Sequence, residues 1–161
     1  MRKRYILIAA VAVLVLILDQ VSKAWVVATL PEYTQIPVIK GFFNFVHVHN
    51  KGAAFGFLNR GDITWQFWLF LAATVIAAIV IIMLAKNASS REYNFFFSLG
   101  LILGGAAGNL IDRIRYREVI DFLDFYWRNY HWPAFNIADI AICCGAFLAL
   151  ILSWRHTRRG A

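Results

Sequence analysis

Several familiar kinds of catalytic equipment are missing from this chain. None of its serines, Ser22, Ser89, Ser90, Ser98 and Ser153, stands in a G-x-S-x-G elbow, and no H-E-x-x-H occurs. Cysteine is almost absent: Cys143 and Cys144 are the only two, adjacent inside an apolar run. Neighbours in sequence make a poor disulfide and are too few for a structural zinc site, so they read as small lipid- or helix-facing residues. Internal repeats and low-complexity linkers are also lacking, which argues against the inverted-repeat plan of many transporters. Acidic residues are scarce, nine against sixteen basic, for a formal net charge of +7. Most of the basic residues flank apolar runs in short clusters instead of lining one face, a pattern of membrane orientation; no nucleic-acid partner is expected.

What is abundant is hydrophobicity. With 61% hydrophobic residues in 161 and a mean hydropathy of +0.62, the chain is too apolar for an ordinary soluble fold. Four segments have the roughly 20 apolar residues that a membrane crossing needs: about 5–28, 63–85, 95–112 and 136–155. The whole chain, 1–161, reads as one integral membrane domain. The first segment starts like a secretory signal peptide, but Asp19, Gln20, Ser22 and Lys23 follow where a cleavage site would stand, so it is read as a span. Arg2, Lys3, Arg4, Lys86, Arg91, Arg155, Arg158 and Arg159 lie densely on one side, which places both termini in the cytoplasm. Trp25, Trp65, Trp68, Trp127 and Trp132 fall near outer span ends and Trp154 near an inner one.

The outer segments are about 29–62 and 113–135. In the first, Phe43, Phe45, Val46 and Val48 suggest a strand bounded by glycines, hence a small sheet on the membrane surface. His47 and His49 alternate onto one face of that strand; with His131 the only other outer histidine, no metal site is expected.

Ionisable residues at membrane depth are costly unless paired or facing a polar cavity. Asp19, Lys23, Asn109, Asp112, Arg113, Asp121 and Asp139 together therefore imply an inward-facing polar pocket. Blander readings stand beside this one. Gly104 and Gly108 form a G-x-x-x-G suited to helix packing, and Arg113 can snorkel to the headgroups, though neither accounts for Asn109. Asn136 and Asp139, three apart at the start of span four, can cap the helix. Asp19 and Lys23, four apart, can pair structurally. Asp121 and Asp124 can sit solvated in an outer loop. A proton-coupled transporter and a scaffold built on G-x-x-x-G are the competing classes; paired carboxylates are the favoured equipment.

The motifs "DQVSK" (19–23), "NKGAAFGF" (50–57), "GGAAGNLIDR" (104–113), "VIDF" (119–122) and "FNIADIAI" (135–142), in order through all four spans, resemble the lipoprotein signal peptidase (signal peptidase II) family. The resemblance implies a mainly α membrane protein, four transmembrane helices with a small periplasmic β-sheet cradle, in the bacterial inner membrane. It implies an aspartic endopeptidase that removes the signal peptide from diacylglyceryl-modified prolipoproteins, just before the lipidated cysteine. By motif, the catalytic pair is Asp121 and Asp139, with Asp112 and Asp124 outside those positions. Asn50, Gly105, Asn109, Arg113, Asn136 and Ala138 match substrate-pocket positions, and Asp19 and Lys23 match a polar pair in span one. Lys51, where many members carry a small polar residue, is the chief departure. No cofactor is implied; membrane lipid is a partner, a monomer is expected, and the aromatic segment ending near Gly52 and Gly56 reads as a substrate cradle.

Physics agrees with such a pair. Two unit charges about 4 Å apart repel by roughly 4 kcal/mol at an effective dielectric near 20, about 3 pKa units, so two close carboxylates share one proton. One is then a base and the other an acid, on a site near the outer leaflet that admits both water and acyl chains.

Overall fold

A computed structural model describes residues 2–52, 65–89 and 92–160, with side chains left out for Arg2 and for 156–160. Gly56 and the rest of the aromatic segment after Gly52 lie outside the described residues, as does Arg91. Among the described residues there are four long helices: α1 (Arg2–Thr29), α2 (Trp65–Asn87), α3 (Tyr93–Tyr116) and α4 (Ile137–Gly160). Each is long and apolar enough to cross a membrane. Even the shortest, α2 with 23 residues, spans about 35 Å at 1.5 Å per residue, more than the hydrocarbon core. The signal-peptide alternative for the first span fails, because α1 runs unbroken through Asp19 and Lys23 and buries both side chains against its neighbours.

At one end of the bundle the described residues form four strands: β1 (Gln35–Ile39), β2 (Phe43–Asn50), β3 (Val119–Trp127) and β4 (Tyr130–His131). They form one antiparallel sheet in chain order. The expected strand over 43–48 is therefore real. The outer loop around Asp121 is not: "VIDFLDFYW" is β3, and Asp121 and Asp124 are 2% and 5% exposed instead of solvated. Ile120 and Phe122 explain the burial, packing with Val26 of α1 beneath the sheet. The chain reaches β3 by a tight reversal, with Arg117 left-handed at φ 64° after α3 and its N–H donating to the Arg113 carbonyl.

One irregularity in the sheet matters for the site. Phe45 faces Leu123 and Val48 faces Asp121, so three steps on β2 oppose two on β3. A bulge of this kind reverses the alternation of the strand. Asn50 thereby comes to the same face as Asp121; had the Phe45–Leu123 register continued unbroken, His47 would face Asp121 and Asn50 would lie on the opposite side of the sheet.

Helix α3 is the hub, packed on α1, α4 and, more lightly, α2. Its glycines permit this. A Cβ on Gly104 would stand 2.6 Å from the Ala12 carbonyl oxygen of α1, and one on Gly105 would strike the Ala138 carbonyl of α4. The G-x-x-x-G packing reading thus holds, with the two neighbouring glycines serving different helices. Apolar clusters fill the remainder, one around Phe95, Phe96 and Leu99 with Ile8 and Ile81, another joining Val11 and Val15 to Ala141. The six tryptophans are all exposed, as interfacial anchors are.

Since the obstacle at Gly104 is backbone, α1 and α3 must separate to admit a methyl group. Gly104→Ala is expected to destabilise the protein by ~1–3 kcal/mol. Denaturation in detergent micelles measures this, and an unchanged midpoint would contradict the close packing.

Candidate active site

Three asparagines converge on two carboxylates, and the orientation of each amide is determined by a partner that can only donate. Asn136 precedes α4 as its N-cap: its Oδ1 accepts the Asp139 N–H at 2.9 Å, and its own N–H donates to Asp139 Oδ2 at 3.3 Å. This reciprocal arrangement is a capping box. With its oxygen taken, Asn136 turns its Nδ2 to Asp121 Oδ1 at 2.8 Å. Capping and site-building are therefore one and the same arrangement.

Asn109 is set by Lys23. The ammonium donates to Asn109 Oδ1 at 3.0 Å, so Asn109 Nδ2 must point away, and it donates to Asp139 Oδ1 at 2.7 Å. Asn50 repeats the logic in the strand: Oδ1 accepts the Gly52 N–H at 2.9 Å and Nδ2 donates to Asp121 Oδ2 at 3.0 Å. Asp121 thus receives two side-chain amide donors, and Asp139 one beside the Asn136 backbone N–H.

Behind Asn109, Lys23 also reaches Asp19 at 2.8 Å and Asp112 at 2.7 Å, which with Asn109 matches the three hydrogens of its ammonium. The expected Asp19–Lys23 pair is accordingly one side of a buried triad. Asp19 Oδ1 in turn accepts the Ala138 N–H at 2.9 Å, in the first turn of α4 where the helix dipole favours a carboxylate. Gln20, which lies in the DQVSK motif but was assigned no role there, donates to Asp112 Oδ1 at 2.9 Å.

Burial pushes the Asp121 carboxyl up to about 7, with the Asp139 charge adding to the rise and the amide donors opposing it. Asp121 is thus protonated below neutrality and ionised above it. That shift leaves Asp121 poised between carboxylic acid and carboxylate near neutral pH.

Both aspartates line a cavity of about 680 Å³, walled by α2, α3 and α4. Asn50, Asn109 and Arg113 line it too. Asn136 is wholly buried beside the pair, while Gly105 and Ala138 meet at the α3–α4 contact behind it. Arg113 does not snorkel: its guanidinium lies 3.9 Å over the Phe70 ring and donates to the Gly52 carbonyl at 3.0 Å. Phe70 had no signal in the sequence beyond its hydrophobicity. Cys143 and Cys144 are exposed along the cavity wall.

The other polar groups serve elsewhere. Asp124 accepts from Asn44 at 2.7 Å and contacts the His131 ring at 2.9 Å. His47 pairs with the Leu30 carbonyl, and His49 lies beside Glu118. Among the described residues, no group of three or more His, Cys, Asp or Glu side chains is arranged to hold a metal ion.

The family model for signal peptidase (SPase) II matches residues 11–155, a range that contains all of these side chains. The chain belongs to the signal peptidase II family. It is 56% identical to a lipoprotein signal peptidase of Nitratidesulfovibrio vulgaris (strain DP4) over 95% of this chain and 92% of that one. A lipoprotein signal peptidase of Oleidesulfovibrio alaskensis is 54% identical over 97% and 99% of the two chains. A bacterial membrane enzyme solved by the in meso method superposes with a TM-score of 0.83 at 31% identity, covering 94% of this chain and 90% of that one. This signal peptidase II family member is thus a bacterial multi-pass membrane peptidase, and its family processes prolipoprotein signal peptides.

Removing Lys23 would leave Asp19 and Asp112 buried without their cation. Lys23→Met is expected to destabilise the protein by ~3–5 kcal/mol. Full stability in the same denaturation assay would contradict the triad.

Proposed function

We propose that Asp121 and Asp139 form the catalytic pair of an aspartic endopeptidase, which cuts prolipoproteins just before the diacylglyceryl-modified cysteine. The observation that carries this reading is the convergence of two carboxylates in one largely apolar cavity, one of them raised to about 7.

In this mechanism the ionised carboxylate removes a proton from a water molecule, which attacks the scissile carbonyl carbon. The protonated partner donates toward the carbonyl oxygen. Burial holds the proton on Asp121 up to about 7, and Asn109 holds the Asp139 carboxyl in the first turn of α4. The proton nonetheless belongs to the pair, and its passage between the two resets the site when the tetrahedral intermediate collapses. Asn50, Asn109 and Asn136 keep the carboxylates in register. Arg113 supplies the cavity's cation for the polar backbone of the substrate, and Gly105 and Ala138 let α3 and α4 close behind the pair.

Walls such as Phe70, Ala73, Ala77 and Ile142 suit the apolar signal-peptide helix and the acyl chains of the modified cysteine. The sheet lies at the end of the bundle opposite the chain termini, and dense basic flanks mark the terminal side. That arrangement supports cytoplasmic termini in the inner membrane, a site near the outer leaflet, and a cradle over the substrate. The apolar helices meet membrane lipid as a monomer.

Asp121→Asn and Asp139→Asn are each expected to lower cleavage of a purified diacylglyceryl-modified prolipoprotein at least ~10³-fold, while the protein stays folded and inserted. A gel-shift assay with lipidated and unlipidated substrate measures both points. Near-normal cleavage by either variant would overturn the pair. In the wild type, kcat/KM is expected to fall as pH rises through about 7, because the pair then loses its remaining proton; a rate that climbs across that range would assign the chemistry elsewhere.

A further inference from the structure

Arg113 is the only cation among the described residues lining the cavity, and no described carboxylate lies within ion-pair distance of it. A guanidinium has five N–H donors. One reaches the Gly52 carbonyl at 3.0 Å and another makes a long contact of 3.3 Å to the Asn109 carbonyl in its own helix. Its Nε is buried with no hydrogen-bond partner among the described residues. Phe70 covers one face of the group at 3.9 Å, which fixes the plane of the fork. The fork is therefore held in position, shielded from water on one side and largely unspent. Such a group is matched in charge and geometry to a carboxylate.

Hydrolysis creates a carboxylate in this cavity. The C–N bond of the scissile peptide breaks and a C–O bond to the attacking water forms. The nitrogen takes a proton and departs as the new amino terminus of the lipidated cysteine. The acid left on the signal peptide gives up its proton near neutrality. A third carboxylate then stands close to Asp121 and Asp139, where without a counter-cation the like charges would drive it out.

We infer that Arg113 forms a product subsite that binds the new C-terminal carboxylate of the cleaved signal peptide. The inference rests on the proposed cleavage reaction, and it makes the released peptide a competitive inhibitor that outlasts the lipidated product in the site. Phosphate on a lipid headgroup has similar chemistry, but the carboxylate arises inside the cavity that Arg113 lines.

The test uses two synthetic signal peptides ending at the residue before the cysteine, one with a free carboxylate and one with a carboxamide. Each is titrated against cleavage of lipidated prolipoprotein by the full-length protein in zwitterionic detergent, and then with anionic lipid added. The carboxylate peptide should inhibit about tenfold more tightly than the amide, as expected for one charge-assisted bidentate contact. Arg113→Gln should remove the difference in binding of the two peptides and Arg113→Lys should keep part of it, read by direct peptide binding so that lost turnover does not matter. Equal inhibition by both peptides, with wild-type cleavage intact, would overturn the subsite and leave the cleavage reaction standing. Loss of the preference only when anionic lipid is added would assign the guanidinium to headgroup phosphate and overturn it as well. Absence of wild-type cleavage, by contrast, would strike the proposed reaction itself.

Discussion

A buried ammonium with three acceptors governs this structure. Lys23 donates to Asp19, Asp112 and Asn109, and because an ammonium cannot accept, it decides which end of the Asn109 amide meets Asp139. The same triad reaches both other helices at the site. Asp112 belongs to α3 and accepts the Ile120 N–H at the start of β3, while Asp19 accepts the Ala138 N–H at the start of α4. The strand that carries Asp121 and the helix that carries Asp139 are thus both tied to one charge cluster on α1 and α3. A network of this kind is costly to desolvate and expensive to break, so its worth lies in specifying one arrangement of the elements.

Close helix packing makes that network reachable. Gly104 and Gly108 admit α1, and Gly105 admits α4, so polar side chains from three helices meet at one depth. A side chain at Gly104 or Gly105 would meet the facing backbone well inside van der Waals distance and push the helices apart. The sheet adds its own adjustment through the β2 bulge, which turns Asn50 onto the Asp121 face. The precision of the site therefore arises from backbone approach, strand register and donor-only partners acting together, with each carboxylate held by groups from a different element.

Much of this was legible in the sequence, for physical reasons. Spans announce themselves because lipid demands unbroken apolar length, and the high cost of polar groups there singled out Asp19, Lys23, Asn109 and Arg113. The strand at β2 showed through its aromatic and β-branched residues. β3 did not, because both its faces are buried and its aspartates imitate a solvated loop. Phe70 escaped notice, and Gln20, though inside the DQVSK motif, was given no role: one aromatic ring and one amide carry no meaning until a guanidinium or a buried acid is placed beside them. Asn136 and Asp139 offered capping and site-building as rivals, and the helix start uses both at once. Which aspartates belong together came from motif resemblance, since residues eighteen apart with a chain reversal between them have no local pattern.

Asp121 holds its proton up to about neutrality, chiefly because it is buried. Infrared titration of protein carrying isotope-labelled aspartate reads that proton directly. The account predicts a protonated-carboxyl band that disappears as pH rises through about 7, is absent in Asp121→Asn, and in Asp139→Asn persists with a lower midpoint because the second charge is gone. Two carboxylates already ionised well below neutral pH, with no such band in the wild type, would contradict it.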